Sequence, residues 1–196
     1  MASQKVNRAK IDKALRWANK QEELIKSGYN YDYSALQNLF DKLDLRKELN
    51  VTAAAYAVYG WMPTRLKRTE ASELIKFVRE VKNSTTKKDA LNQLRKPPNI
   101  TQAVNGSTVG TSKLLHFIAP KIFSIWDSNV ALVFEIASKI NDPAVYLDYC
   151  DAVHGRLDDR DMPVVWPEEL RKQKISRVRR LEFCLYAHGK CLRSPK

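Results

Sequence analysis

Apolar residues recur along this chain at steps of three and four, from residue 5 to residue 189. That spacing lines one face of a helix, and no run of alternating residues is long enough to found a sheet. Ile11, Ala14, Leu15, Ala18, Leu24 and Ile25 mark a first helix within 5–26; Leu36, Leu39, Phe40 and Leu43 mark a second over 31–43. "NVTAAAYAVYGWMP" predicts a largely buried helix that stops at Gly60 and Pro63. "TEASELIKFVREVK" predicts a helix capped by Thr69, with Leu74, Ile75, Phe77, Val78 and Val81 on one face. A short helix within 85–99 closes at two prolines. Helices follow over 128–140 and over 142–157, the latter with Pro143 just inside an Asp142 cap. After a loop, the last runs from about Pro167 to Gly189. "FSIW" is too short and isolated to be a working strand. The expected fold is all-α: nine or ten helices in a compact two-lobed helical domain, one domain over 1–196.

Charge narrows the partners. Lys and Arg number 34 against 22 Asp and Glu, a formal net charge of +12. Such an excess favours polyanions, nucleic acid before anionic membrane. Residues 60–100 carry ten cations against four acids and residues 167–196 nine against three, a net of +6 in each. Two basic segments on one small protein suit a long groove for phosphates, although either alone also suits a solvated helix face. No stretch approaches the roughly 20 apolar residues of a membrane span, and the polar, basic start has no apolar signal region. Cys150, Cys184 and Cys191 are odd in number, lack metal-site spacing and read as free thiols of a reducing, cytoplasmic compartment.

One segment concentrates chemistry: "NGSTVGTSKLLHFIAPKIFSIWDSNVALVF", residues 105–134. Gly110 is read as a tight turn that exposes backbone N–H groups, with a helix starting near Ser112. Together they make an anion site for a nucleic-acid phosphate; an ordinary interhelical turn fits the same residues. Asp127 precedes a periodic apolar helix and caps it. A carboxylate held there behind Ile125 and Trp126 is rigid and partly desolvated, so it also suits charge stabilisation or proton acceptance from water.

A glycine hairpin, a lysine at a helix start and an aspartate opening the next helix resemble the helix-hairpin-helix DNA glycosylase superfamily. "TVGTSK" stands for the hairpin and "IWDSNV" for the aspartate segment. The resemblance covers 105–134 directly, with one glycine in the hairpin where the family has two and without the four-cysteine cluster of some members. It implies base excision: a nucleotide leaves the stack, its glycosidic bond breaks, and Asp127 faces the positive charge on the sugar. Lys113 is then a nucleophile forming a Schiff base or, ahead of that, a phosphate contact. Gly110, Thr111, Ser112, Arg65 and Lys67 are the expected DNA contacts.

Aromatics beside arginines suit base stacking, which makes Tyr56, Tyr59 and Trp61 candidates for a base pocket; core packing suits them too. Trp126 and His116 stand between the same two readings. Asp158, Asp159 and Asp161 read as a polar loop rather than a metal cluster, and excision by this route calls for no metal or cofactor. The expectation is a monofunctional DNA glycosylase, a monomer acting on double-stranded DNA that carries a damaged or modified base, such as a bulky pyrimidine of phage DNA. The alternative is a non-catalytic DNA binder that grips backbone through the hairpin.

Overall fold

Every regular element among the described residues is helical. The structure, a computed structural model, describes residues 6–23, 25, 31–62, 64–96, 100–160 and 166–193. In chain order the α-helices are α1 Arg8–Ala18, α2 Tyr31–Lys42, α3 Glu48–Gly60, α4 Ala71–Asn83, α5 Lys87–Gln93, α6 Thr108–Ile118, α7 Ser128–Val133, α8 Pro143–Asp158, α9 Glu168–Lys172 and α10 Arg177–Arg193. Single 3-10 turns lie at Ile100–Gln102 and Ala137–Lys139. The one β-type pairing among the described residues is an isolated antiparallel bridge between Thr69 and Val104. The all-α class read from the periodicity is the observed class.

The chain divides into two units, one comprising residues 1–29 and 124–196, the other residues 30–123. The second unit holds α2 to α6. Its core gathers on Phe117 of α6, whose ring meets Tyr33 at 5.1 Å, Phe40 at 5.4 Å and the edge of Trp61 at 5.6 Å between centroids. Val51, Ala54, Ala55 and Val58 of α3 and Leu74 and Val78 of α4 complete it without exposure.

The first unit holds α1 and α7 to α10. Helix α7 has only six residues, too few to persist alone. Val130, Ala131 and Val133 are buried, and a fully buried valine contributes up to roughly 1.5–3 kcal/mol. Packing against α10 therefore holds α7 in place. At its far end Glu135 takes a left-handed φ of 61°. Lys10 closes that end, donating to the Phe134 carbonyl at 2.9 Å and pairing with Glu135 at 3.1 Å. Elsewhere in the unit the buried Arg156 guanidinium donates to Asp12 at 2.5 Å, and Arg8 pairs with Asp159.

Three expected elements are corrected. Helix α4 starts at Ala71 and Thr69 does not cap it, because Thr69 is bridged to Val104. The helix expected over 128–140 ends at Val133, where the turn at Glu135 breaks it. The last helix is two: α9 and α10, parted over residues 173–176. Pro63 and Leu24 lie outside the described residues.

Candidate active site

The turn expected at Gly110 lies elsewhere. The left-handed residues are Asn105 (φ 54°) and Gly106 (φ 62°), and α6 begins at Thr108 under a Ser107 cap that accepts from the Gly110 amide at 3.3 Å. Gly110 thus lies in the first turn of α6. It is needed for a different reason: a Cβ there would lie 2.0 Å from the Tyr59 hydroxyl. Thr111 and Ser112 are fully buried. Thr111 Oγ1 accepts from the Val104 amide at 3.0 Å, and Ser112 donates to the Val109 carbonyl at 2.8 Å. Both side chains serve the helix and its preceding turn.

Asn105 joins this turn to the basic loop. Its Oδ1 accepts from the Lys67 amide at 2.8 Å and the Arg68 amide at 2.9 Å, while Nδ2 donates to the Arg65 carbonyl at 3.0 Å. The Asn105 amide donates to the Arg68 carbonyl at 2.9 Å. Arg65 and Lys67 are exposed. The structure thus brings these two expected contacts to one rigid turn. An Asn-Gly dipeptide is a strong turn signal, and it marks this position in the sequence.

The aromatic candidates separate. Tyr56 is 60% exposed on α3. Tyr59 is buried; burial raises its pKa, against a lowering hydrogen bond with Asn105. Trp61 is half-buried, with the Lys113 ammonium 5.8 Å above its ring centroid. His116 is fully buried. A carbonyl only accepts, so His116 Nδ1 carries the proton donated to the Phe123 carbonyl at 2.6 Å, and Nε2 accepts from the Tyr33 hydroxyl at 2.8 Å. That makes it an interior strut. Trp126 is also fully buried, donating from Nε1 to the Ile140 carbonyl at 2.8 Å and lying 5.0 Å from the Tyr149 ring.

Asp127 caps α7 in extended backbone (φ −150°, ψ 179°). Both capping bonds reach one oxygen: Oδ1 accepts from the Asn129 amide at 2.9 Å and from the Val130 amide at 3.0 Å. Oδ2 has no hydrogen-bond partner among the described residues, and the side chain is half-buried. One oxygen is locked and the other is available to a ligand. The α7 dipole favours the carboxylate's charge.

The surroundings of Asp127 come from α8 and α10. Gly189 of α10 packs directly on α7, where an added Cβ would lie 1.9 Å from the Asn129 carbonyl oxygen. Glu182 and Arg179 form a buried ion pair one helical turn apart on α10. Tyr149 is raised by burial first, then by the Glu182 charge, with Asp127 adding less. Tyr186 is raised by burial and next by Asp127. Tyr186, which periodicity placed inside the last helix, and Gly189, which it read as that helix's end, thus join the candidate site.

Lys113 belongs to the unit of residues 30–123 and Asp127 to the other. Asp159 is engaged by Arg8, Asp158 is exposed at the end of α8, and Asp161 lies outside the described residues. Among the described residues no group of three or more His, Cys, Asp or Glu is placed to hold a metal ion, and no helix is long and apolar enough to cross a membrane. The chain matches no protein-family model, no curated protein and no solved structure.

Proposed function

We propose that the protein is a monofunctional DNA glycosylase of the helix-hairpin-helix kind, with Asp127 as its catalytic carboxylate. The observation that carries this reading is the Asp127 side chain, with Oδ1 fixed by two backbone amides and Oδ2 available to a ligand. A group so held reorganises little when charge develops beside it. The target nucleotide leaves the duplex stack. Its C1′–N bond then breaks with the electron pair leaving on the base, and positive charge spreads over C1′ and the ring oxygen. Oδ2 stabilises that charge and orients a water. The water oxygen bonds to C1′, and its proton passes to the carboxylate or the departing base. An abasic site remains.

The net charge of +12 supports a polyanionic substrate. The loop carrying Arg65 and Lys67, pinned by Asn105, is the proposed phosphate contact. Under the same reading Lys113 contacts phosphate rather than attacking sugar. The three free thiols fit a cytoplasmic setting.

The test is strand cleavage with and without hot alkali. The substrates are plain DNA, uracil- or oxidised-base DNA, and phage DNA with bulky modified pyrimidines. Asparagine caps helices as well as aspartate, so Asp127→Asn keeps α7 but removes the charge. Alkali-labile sites are expected to form at least about a hundredfold more slowly in Asp127→Asn. Unchanged cleavage in the variant would remove Asp127 from the chemistry. The second reading, a non-catalytic binder, is favoured by the Asn105-pinned basic loop; it predicts salt-sensitive binding that Asp127→Asn leaves intact, without cleavage on any DNA.

A further inference from the structure

Helix α10 carries a column of stacked groups that the excision step itself does not use. Arg179, Phe183 and Tyr186 fall at helical spacing on one face. The Arg179 guanidinium lies 5.2 Å above the Phe183 ring. Phe183 stacks on Tyr186, with centroids 6.0 Å apart and planes inclined by 29°. Arg179 and Phe183 are buried, whereas Tyr186 is partly exposed. The column therefore ends at the surface in an aromatic ring held from below.

Its place relative to Asp127 follows from the backbone. Gly189, one turn beyond Tyr186, packs on Asn129 in the first turn of α7, and Asp127 caps that turn. The Asp127 charge acts on the Tyr186 hydroxyl, next after burial, in agreement with that placement. Arg193 lies two turns further along the same face and is exposed. A rigid aromatic face beside a carboxylate, with a cation at its rim, has the chemistry that receives a flat heteroaromatic ring attached to a phosphate chain.

We infer that Tyr186 is the platform on which the extruded base stacks, and that it is a substrate-positioning residue of this protein. The inference rests on the excision reading for its placement beside Asp127, but it concerns binding and not bond breakage. Every nucleobase presents a π-face, so the platform holds the base without naming it. Selection among bases then falls to groups at the base edge.

The test uses the full chain and two fluorescently labelled duplexes of one sequence. One carries a single T·T mismatch, whose bases leave the stack at low cost. The other replaces one of those thymidines by a tetrahydrofuran abasic analogue. Tyr186→Leu should weaken binding to the mismatch duplex about tenfold, and to the abasic duplex less than about twofold. Tyr186→Phe, which keeps the ring, should stay within about twofold of the parent on both. Equal losses on both duplexes, no loss on either, or no binding of the parent protein to either duplex would overturn the platform. Should the Tyr186→Leu difference persist while no DNA is cleaved, the platform stands and the excision reading falls.

Discussion

Gly189→Ala sets two effects of opposite sign against each other. Alanine in a helix interior is favoured over glycine by about 1 kcal/mol. Against that, the new Cβ would stand 1.9 Å from the Asn129 carbonyl oxygen, 2.5 Å from its carbonyl carbon and 3.0 Å from its Cα. All three are backbone atoms, so no rotamer relieves the clash. Ordinary contact begins near 3.4 Å, which requires α7 and α10 to part by about 1.5 Å along that line. Parting them unpacks Val130, Ala131 and Val133, the residues that keep a six-residue helix folded. Overpacking of this kind costs about 3 kcal/mol, so the net loss is about 2 kcal/mol. At roughly 2–4 °C per kcal/mol for a chain of this length, the melting temperature should fall by about 4–8 °C. Gly155→Ala on the exposed face of α8 is the control. Nothing lies within 4 Å of its added Cβ, so propensity acts alone and the melting temperature should rise by about 2–4 °C. Calorimetry on both variants decides the matter; a Gly189→Ala protein as stable as the parent, or more so, would refute the claim that this contact sets the α7–α10 distance.

Two further outcomes follow from the same unit. Asp12→Ala leaves the buried Arg156 guanidinium, among the described residues, with only Asp159 at 3.9 Å, and should destabilise by about 3 kcal/mol in urea denaturation, whereas loss of the exposed Lys172–Glu168 pair through Lys172→Ala should leave the urea midpoint unchanged. His188 packs on Trp17 at 5.0 Å, and burial, followed by the Lys13 charge, lowers its pKa from the ordinary 6.5. The unfolded chain then binds the proton more readily than the folded one, so stability is whole above about pH 6.5 and falls as pH drops through that value. His188→Gln should flatten the melting temperature between about pH 7 and pH 5, and an unchanged slope would assign it to other groups.

Periodicity sufficed for the helices because each buries one face, and it failed where a contact distant in sequence sets the local backbone. Thr69 has the chemistry of a cap, but its pairing with Val104 holds it extended, and no local pattern announces a partner that far along the chain. Gly110 reads as a turn because glycine tolerates one; its neighbour across the fold, the Tyr59 ring, is invisible in sequence. Asn105–Gly106 was the legible alternative, and Ser107 before "TVG" was the legible cap. Asp127 was placed correctly as a cap because a cap is a local device: an acceptor side chain followed by free amides and an apolar helix. Tyr186 gave no such signal, since an aromatic at helical spacing reads as core until its exposure is known. Leu39 errs the other way, apolar and in phase yet 41% exposed.

The order of the chain imposes an order of assembly on the first unit. Trp17 of α1 rests on His188 of α10, so the α1–α10 pairing cannot form until synthesis has passed residue 188. Residues 30–123 complete their own unit much earlier. On a ribosome the middle of this protein therefore matures first, while α1 waits with its apolar stripe of Ile11, Ala14, Leu15 and Ala18 uncovered. The interval between those events is when the nascent chain is most exposed to aggregation and has most to gain from a chaperone.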